Sequence, residues 1–235
     1  MTSQDRPDPF YGDAARQAGG ASWLGPGLGR GHRLGAADDA FAYQGDPAGV
    51  RRWAEQHGWV RTDEAPPVVA EILEAAPVPL GPEYVASDVI TGQFEGWDAL
   101  AYNVGVQTSN GVVPKWAMTA VGRSQAGSGF WVHPKRLGRF RRREQGVVTA
   151  KLDFAELADR WTLSTNGTEG EGLDLLENRS VVHALLETDD GDELWATPTA
   201  FAAVRPDNHR PALLDHHLRL LTTLAKAEPT GRASR

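Results

Sequence analysis

The chain has 235 residues and a formal net charge of -7, with charged residues at 23% and no cysteine. That length allows one well-filled domain with tails. The acidic balance argues against a nucleic-acid binder, and the missing cysteine excludes disulfides and thiolate metal sites. No segment approaches the roughly 20 consecutive apolar residues of a membrane-spanning helix, and the N-terminus lacks the basic and apolar regions of a signal peptide, so the expected compartment is the cytoplasm.

Residues 1–45 are rich in Gly, Pro, Ala and Asp, with few apolar side chains to offset the entropy of ordering, and read as a flexible N-terminal tail. Phe10, Tyr11, Trp23 and Leu24 are its aromatic and apolar anchors, suited to a protein partner or to strips lying on the chain's own surface. Asp46 then caps a helix that opens with Pro47, turns Val50, Trp53, Ala54 and His57 to one face, and stops at Gly58. Thr62 or Asp63 is expected to cap a second helix running to Ala75, with Val69, Ile72 and Leu73 inward. The proline-rich run from Pro77 to Pro82 is a stiff connector.

From Ser87 to Arg123 alternation, turn residues and strand formers agree, and the expected structure is a β-meander. Glu95-Gly96 makes the first turn. In the second, a three-residue loop at Ser109, Asn110 and Gly111 sets Tyr102 opposite Met118, Val104 opposite Trp116 and Leu100 opposite Ala120. Phe130 to His133 is a fourth strand, ended by Pro134. Lys135, Arg136, Arg139, Arg141, Arg142 and Arg143 then put six cations in nine residues, a patch suited to an acidic protein face or another anionic surface. Val147 to Leu152 alternates as a strand, Asp153 caps a short helix over Phe154 to Asp159, and Trp161 to Ser164 is extended. A long helix is expected over Leu173 to Glu187, then an extended run from Glu193 to Val204 broken at Pro198. The closing helix carries Leu214, Leu218, Leu221 and Ala225 as a stripe, and residues 229–235 read as a disordered tail.

The fold class expected is α+β, an antiparallel sheet packed by three to four helices over residues 46–228. The order of features, from His57-Gly58-Trp59 through Val89-Ile90-Thr91-Gly92-Gln93-Phe94-Glu95-Gly96 to the strand with Trp195 and the leucine-rich closing helix, resembles a large group of uncharacterised actinobacterial proteins over about residues 48–228. The resemblance implies a fold and no activity. Many members of that group carry membrane-spanning helices ahead of the domain, where this sequence has the Gly- and Pro-rich tail.

No cofactor, metal or catalytic residue is expected. Asp207, His209, Asp215, His216 and His217 are the most ligand-like group, but Pro211 places His209 before the helix, so only two ligands could converge where a site needs three or four. There is no Gly-x-Ser-x-Gly elbow, and Gly25, Gly27 and Gly29 follow no strand. The function expected is that of a non-enzymatic interaction or adaptor protein, contacting its partner through the tail and the basic run. The alternative is a small-molecule or lipid-binding domain with an apolar pocket between sheet and helices, lined by Trp97, Trp116, Trp131 and Trp195.

Overall fold

The computed structural model describes residues 45–78, 80–109, 111–135, 147–165 and 170–228, all within one unit spanning Gly35–Arg235. The unit Met1–Leu34 lies outside the described residues, as do 35–44 and 229–235.

Helix α1, Pro47–Gln56, begins as its cap chemistry requires: Asp46 accepts a hydrogen bond from the Gly49 backbone at 2.8 Å, and Pro47 occupies the first turn. Strand β1, Val60–Arg61, follows. Helix α2 is shorter than its sequence pattern suggests, Pro67–Glu74, with neither Thr62 nor Asp63 as its cap. Two consecutive prolines explain the late start, because Pro67 drives Pro66 into extended backbone (ψ 149) and then takes the first helical position itself.

The meander consists of β2, Tyr84–Phe94, β3, Trp97–Thr108, and β4, Gly111–Gly122. Glu95 and Gly96 both have positive φ, 51° and 85°, which closes a tight turn between Phe94 and Trp97. The expected register of the second hairpin holds, with Tyr102 facing Met118, Val104 facing Trp116 and Leu100 facing Ala120. Its cause differs from the expected three-residue loop. Thr108 pairs directly with Gly111, and the additional residue is Lys115, which bulges where the register shifts between Val104 and Gly105.

Strands β5, Phe130–Pro134, β6, Val148–Ala150, β7, Trp161–Thr165, β8, Glu193–Ala196, and β9, Ala200–Arg205, complete a nine-stranded antiparallel sheet of order β1-β2-β3-β4-β9-β8-β5-β7-β6. The meander's neighbour is thus β9 and not the next strand in sequence. The hairpin of β8 and β9, closed where Thr197 bonds the Ala200 backbone, lies between the two halves of the sheet. Helix α3, Ala155–Arg160, has Phe154 at its cap position with no side-chain hydrogen bond, in place of Asp153. The expected long helix is two, α4, Gly170–Glu177, and α5, Arg179–Glu187. Asn178 separates them by accepting from the Ser180 backbone at 2.9 Å, a cap that starts a new helix. Helix α6, Pro211–Ala227, closes the fold.

Each face of the sheet has its own core. On one, α1, α3, α4, α5 and α6 bury Trp53, Leu157, Leu176, Leu185, Leu214, Leu218 and Leu221 against Ile90, Ala101, Val121, Phe201 and Ala203. A fully buried leucine contributes about 2 kcal/mol, so the α6 stripe is a major source of stability. On the other face α2 lays Val69 and Ile72 over Leu100, Met118, Trp195 and Ala202. Two indoles fix this short helix by its C-terminal carbonyls: Trp195 Nε1 donates to Ile72 at 3.3 Å and Trp131 Nε1 to Ala75 at 3.0 Å. Replacing both tryptophans with phenylalanine is expected to cost about 2–4 kcal/mol in urea unfolding and to raise amide exchange first in α2.

Candidate functional site

The contact residues expected from the sequence lie mostly outside the described residues: Phe10, Tyr11, Trp23, Leu24, Arg136, Arg139, Arg141, Arg142 and Arg143. Lys135, the first of the basic run, is exposed immediately after β5. The four tryptophans of the pocket reading divide between the faces. Trp97 packs with the helices of the larger layer, and Trp116, Trp131 and Trp195 pack around α2.

The described residues concentrate their chemistry under the start of α6. Residues 206–210 lead from β9 into that helix and bring His209 and Arg210 beneath it, while β3 and β4 supply Asn103 and Thr119 from the sheet. Asp189 and Asp192 come from the turn ahead of β8. The Asn103 side-chain oxygen accepts from both the backbone nitrogen and Nδ1 of His209, at 3.1 Å each. His209 Nε2 meets Thr119 Oγ1 at 3.1 Å, and Thr119 Oγ1 meets His217 Nδ1 at 3.3 Å. His217 Nε2 lies 3.3 Å from Asp192 Oδ1, and Arg205 donates to the same oxygen at 3.1 Å and to Asp189 at 3.3 Å. His216 Nε2 faces Asp192 Oδ2 at 3.4 Å.

Burial works to raise the Asp192 carboxyl, but Arg205 and His217 outweigh it and hold the group ionised, well below the usual carboxylate range. His209 is pushed down to about 3 by burial, with His217 and Arg210 adding repulsion, and it is an uncharged imidazole at neutral pH. Burial also lowers His217, against the pull of Asp192.

Thr119, His217 and Asp192 form the hydroxyl, imidazole and carboxylate series of a nucleophilic site. All three are 0% exposed, and the Thr119 hydroxyl is claimed by a second imidazole, so a substrate atom has no place to sit. The five-residue ligand group of the sequence reading also disperses. Asp207 is paired with Arg210 at 2.6 Å and Asp215 accepts from the Trp53 indole at 3.0 Å. Among the described residues no three His or carboxylate groups are placed to hold one metal ion. Sequence reasoning found the histidines but missed Asn103, Thr119 and Asp192, because their contacts span 106, 90 and 25 residues. Two buried polar positions on the β3 and β4 alternation, Asn103 and Thr119, were the available signal.

A different feature is open to solvent. A groove of about 440 Å³ runs beside the start of α2, floored by Leu100, Ala120 and Ala200 and edged by Thr91, Asp98 and Thr199. Glu71 accepts from the Thr199 hydroxyl at 2.9 Å at its wall. None of the four tryptophans lines it.

No protein-family model matches this sequence, and no curated protein matches it. A solved structure does. The chain shares its fold with the mycobacterial trehalose monomycolate transport factor A, TtfA. The TM-score is 0.57 at 16% sequence identity, over 78% of this chain and 96% of that one. That neighbour is actinobacterial, in keeping with the resemblance drawn from the sequence. No helix of the described residues is long and apolar enough to cross a membrane.

Proposed function

We infer that this chain is a non-catalytic accessory protein of the uncharacterised actinobacterial group it resembles, acting in the cytoplasm by contact with a protein partner. The observation that carries this reading is the inward commitment of two histidines: His209 and His217 form one polar cluster with Thr119 and Asp192, each at most 3% exposed. A chain that commits this acid-base chemistry to joining its own elements is better suited to binding than to turnover. The shared fold supports it, since the neighbour is described as a transport factor. The contact sites proposed are the anchors Phe10, Tyr11, Trp23 and Leu24 and the run from Lys135 to Arg143, where six cations on a chain of net charge -7 form a patch complementary to an acidic partner face.

The test is affinity capture from the native host with the full chain. Deleting residues 1–45, or reversing Arg141, Arg142 and Arg143 to glutamate, is expected to abolish partner recovery with an unchanged thermal transition. Undiminished recovery with both variants would refute the contact sites. The groove beside α2 favours a second reading, a small apolar or lipid ligand, because its volume of about 440 Å³ is on the scale of ligand sites. Under that reading hydrophobic ligands raise the thermal transition and Ala120→Trp abolishes the shift.

A further inference from the structure

His209 is buried with neutral hydrogen-bond partners. Its hydrogen bonds go to Asn103, to Thr119 and, from its backbone nitrogen, to Asn208 at 3.0 Å. Asp192, by contrast, is matched by Arg205, His216 and His217, and Asp207 by Arg210. The hydrogens can be placed one by one. Asn103 Oδ1 accepts a backbone N–H, so the atom is oxygen and the His209 Nδ1 facing it carries hydrogen. Uncharged His209 therefore offers a lone pair at Nε2 and takes the single hydrogen of Thr119.

His217 directs N–H from Nε2 to Asp192, which leaves its Nδ1 lone pair toward the Thr119 oxygen. One added proton, on His217 Nδ1, would supply the missing hydrogen toward Thr119 only at a burial cost that outweighs the pull of Asp192, and a second, on His209 Nε2, finds no acceptor and lies beside a like charge. A cleft of about 30 Å³, room for a water molecule, ends on Asn103 and His209 between α1 and the sheet, with Arg51, Arg61 and Asp88 around it. The cluster thus has a route to solvent. The charges facing it are Arg51 from α1, Arg61 from β1, Asp88 from β2, Arg205 from β9, Asp207 and Arg210 from the connection, Asp189 and Asp192 from the turn, and His216 from α6. The nearest of them to His209 in sequence, Arg210, is a cation.

His209 also ties two segments together. Its carbonyl accepts from the Asp46 backbone at 3.0 Å, holding the residue that caps α1, and its ring pins the start of α6 to β3 and β4.

We propose that the Asn103–His209–Thr119–His217–Asp192 chain is an acid-sensitive latch, closed while His209 is uncharged and released by protons entering through the cleft, which frees the α1 cap and the start of α6 together. The unfolded chain holds a proton on this histidine below about pH 6.5. The folded chain refuses it until far lower pH, so stability is complete above about pH 6.5 and is lost as pH falls. One such proton changes the folding constant about tenfold per pH unit.

The test measures urea unfolding of the full chain between pH 7 and 4, with amide exchange at each pH. The wild type is expected to lose at least tenfold in folding constant per pH unit below pH 6, with Asp46 and His209 amides losing protection before those of Met118 and Ala120. His209→Gln, whose amide is not titratable, is expected to remove about one tenfold factor per unit. An unchanged slope in that variant, or simultaneous loss of protection everywhere, would overturn the latch. If the variant does not fold, the ring nitrogens of His209 in the wild type decide by NMR. Titration near pH 6.5 in the folded chain refutes the proposal, and a neutral ring at pH 5 supports it.

Discussion

Replacing Asp192 with alanine is expected to cost about 3–5 kcal/mol of folding free energy, the largest loss from any single charged residue of the described domain. The carboxylate is 0% exposed and is the shared partner of Arg205, His216 and His217. Its removal leaves the Arg205 guanidinium, itself 9% exposed, with Asp189 as its carboxylate contact at 3.3 Å. A buried cation stripped of a fully buried carboxylate partner costs more than the lost hydrogen bonds alone. Urea unfolding at pH 7 measures the effect. A loss below about 1 kcal/mol would mean that water reaches the cluster and screens it.

Gly92→Val is expected to be the second severe change, at about 2–4 kcal/mol, by thermal or urea unfolding. A Cβ built on Gly92 would lie 2.5 Å from Cδ1 and Cγ of Trp59, a ring that is 6% exposed. The indole cannot retreat without giving up the bond from its Nε1 to the Gln93 carbonyl at 3.1 Å and its edge contact with Trp53, whose ring centroid is 5.2 Å away. The compensating double variant, Gly92→Val with Trp59→Leu, is expected to recover part of the loss, because the clash is with one ring.

That contact joins two of the sequence runs on which the resemblance was drawn. His57-Gly58-Trp59 and Thr91-Gly92-Gln93 look like two separate structural motifs, but in the fold the tryptophan of one lies on the glycine of the other. The elements governed by local chemistry were legible: the Asp46-Pro47 start, the Glu95-Gly96 turn and the alternation that sets Tyr102 against Met118. What local chemistry does not carry was not legible. The place of β9 beside β4 depends on pairing such as Met118 with Val204, and a helical stripe of Leu175, Leu176, Val182 and Leu185 hides the break that Asn178 makes. The polar cluster was half visible, since His209, His216 and His217 stand close in sequence and the groups that neutralise or bond them do not.

The proposed division of labour, with titratable groups that hold the fold and peripheral segments that would make the contacts, is tested most directly by one comparison of partner capture. Thr119→Val breaks the series of hydroxyl, imidazole and carboxylate without changing side-chain volume, and it is measured at a temperature where circular dichroism shows it folded. It is expected to retain full partner recovery, whereas the chain lacking residues 1–45 and the chain with Arg141, Arg142 and Arg143 reversed lose it. A folded Thr119→Val chain that loses its partner or its cellular function, while the two peripheral variants keep theirs, would contradict this account and point to chemistry at the cluster itself.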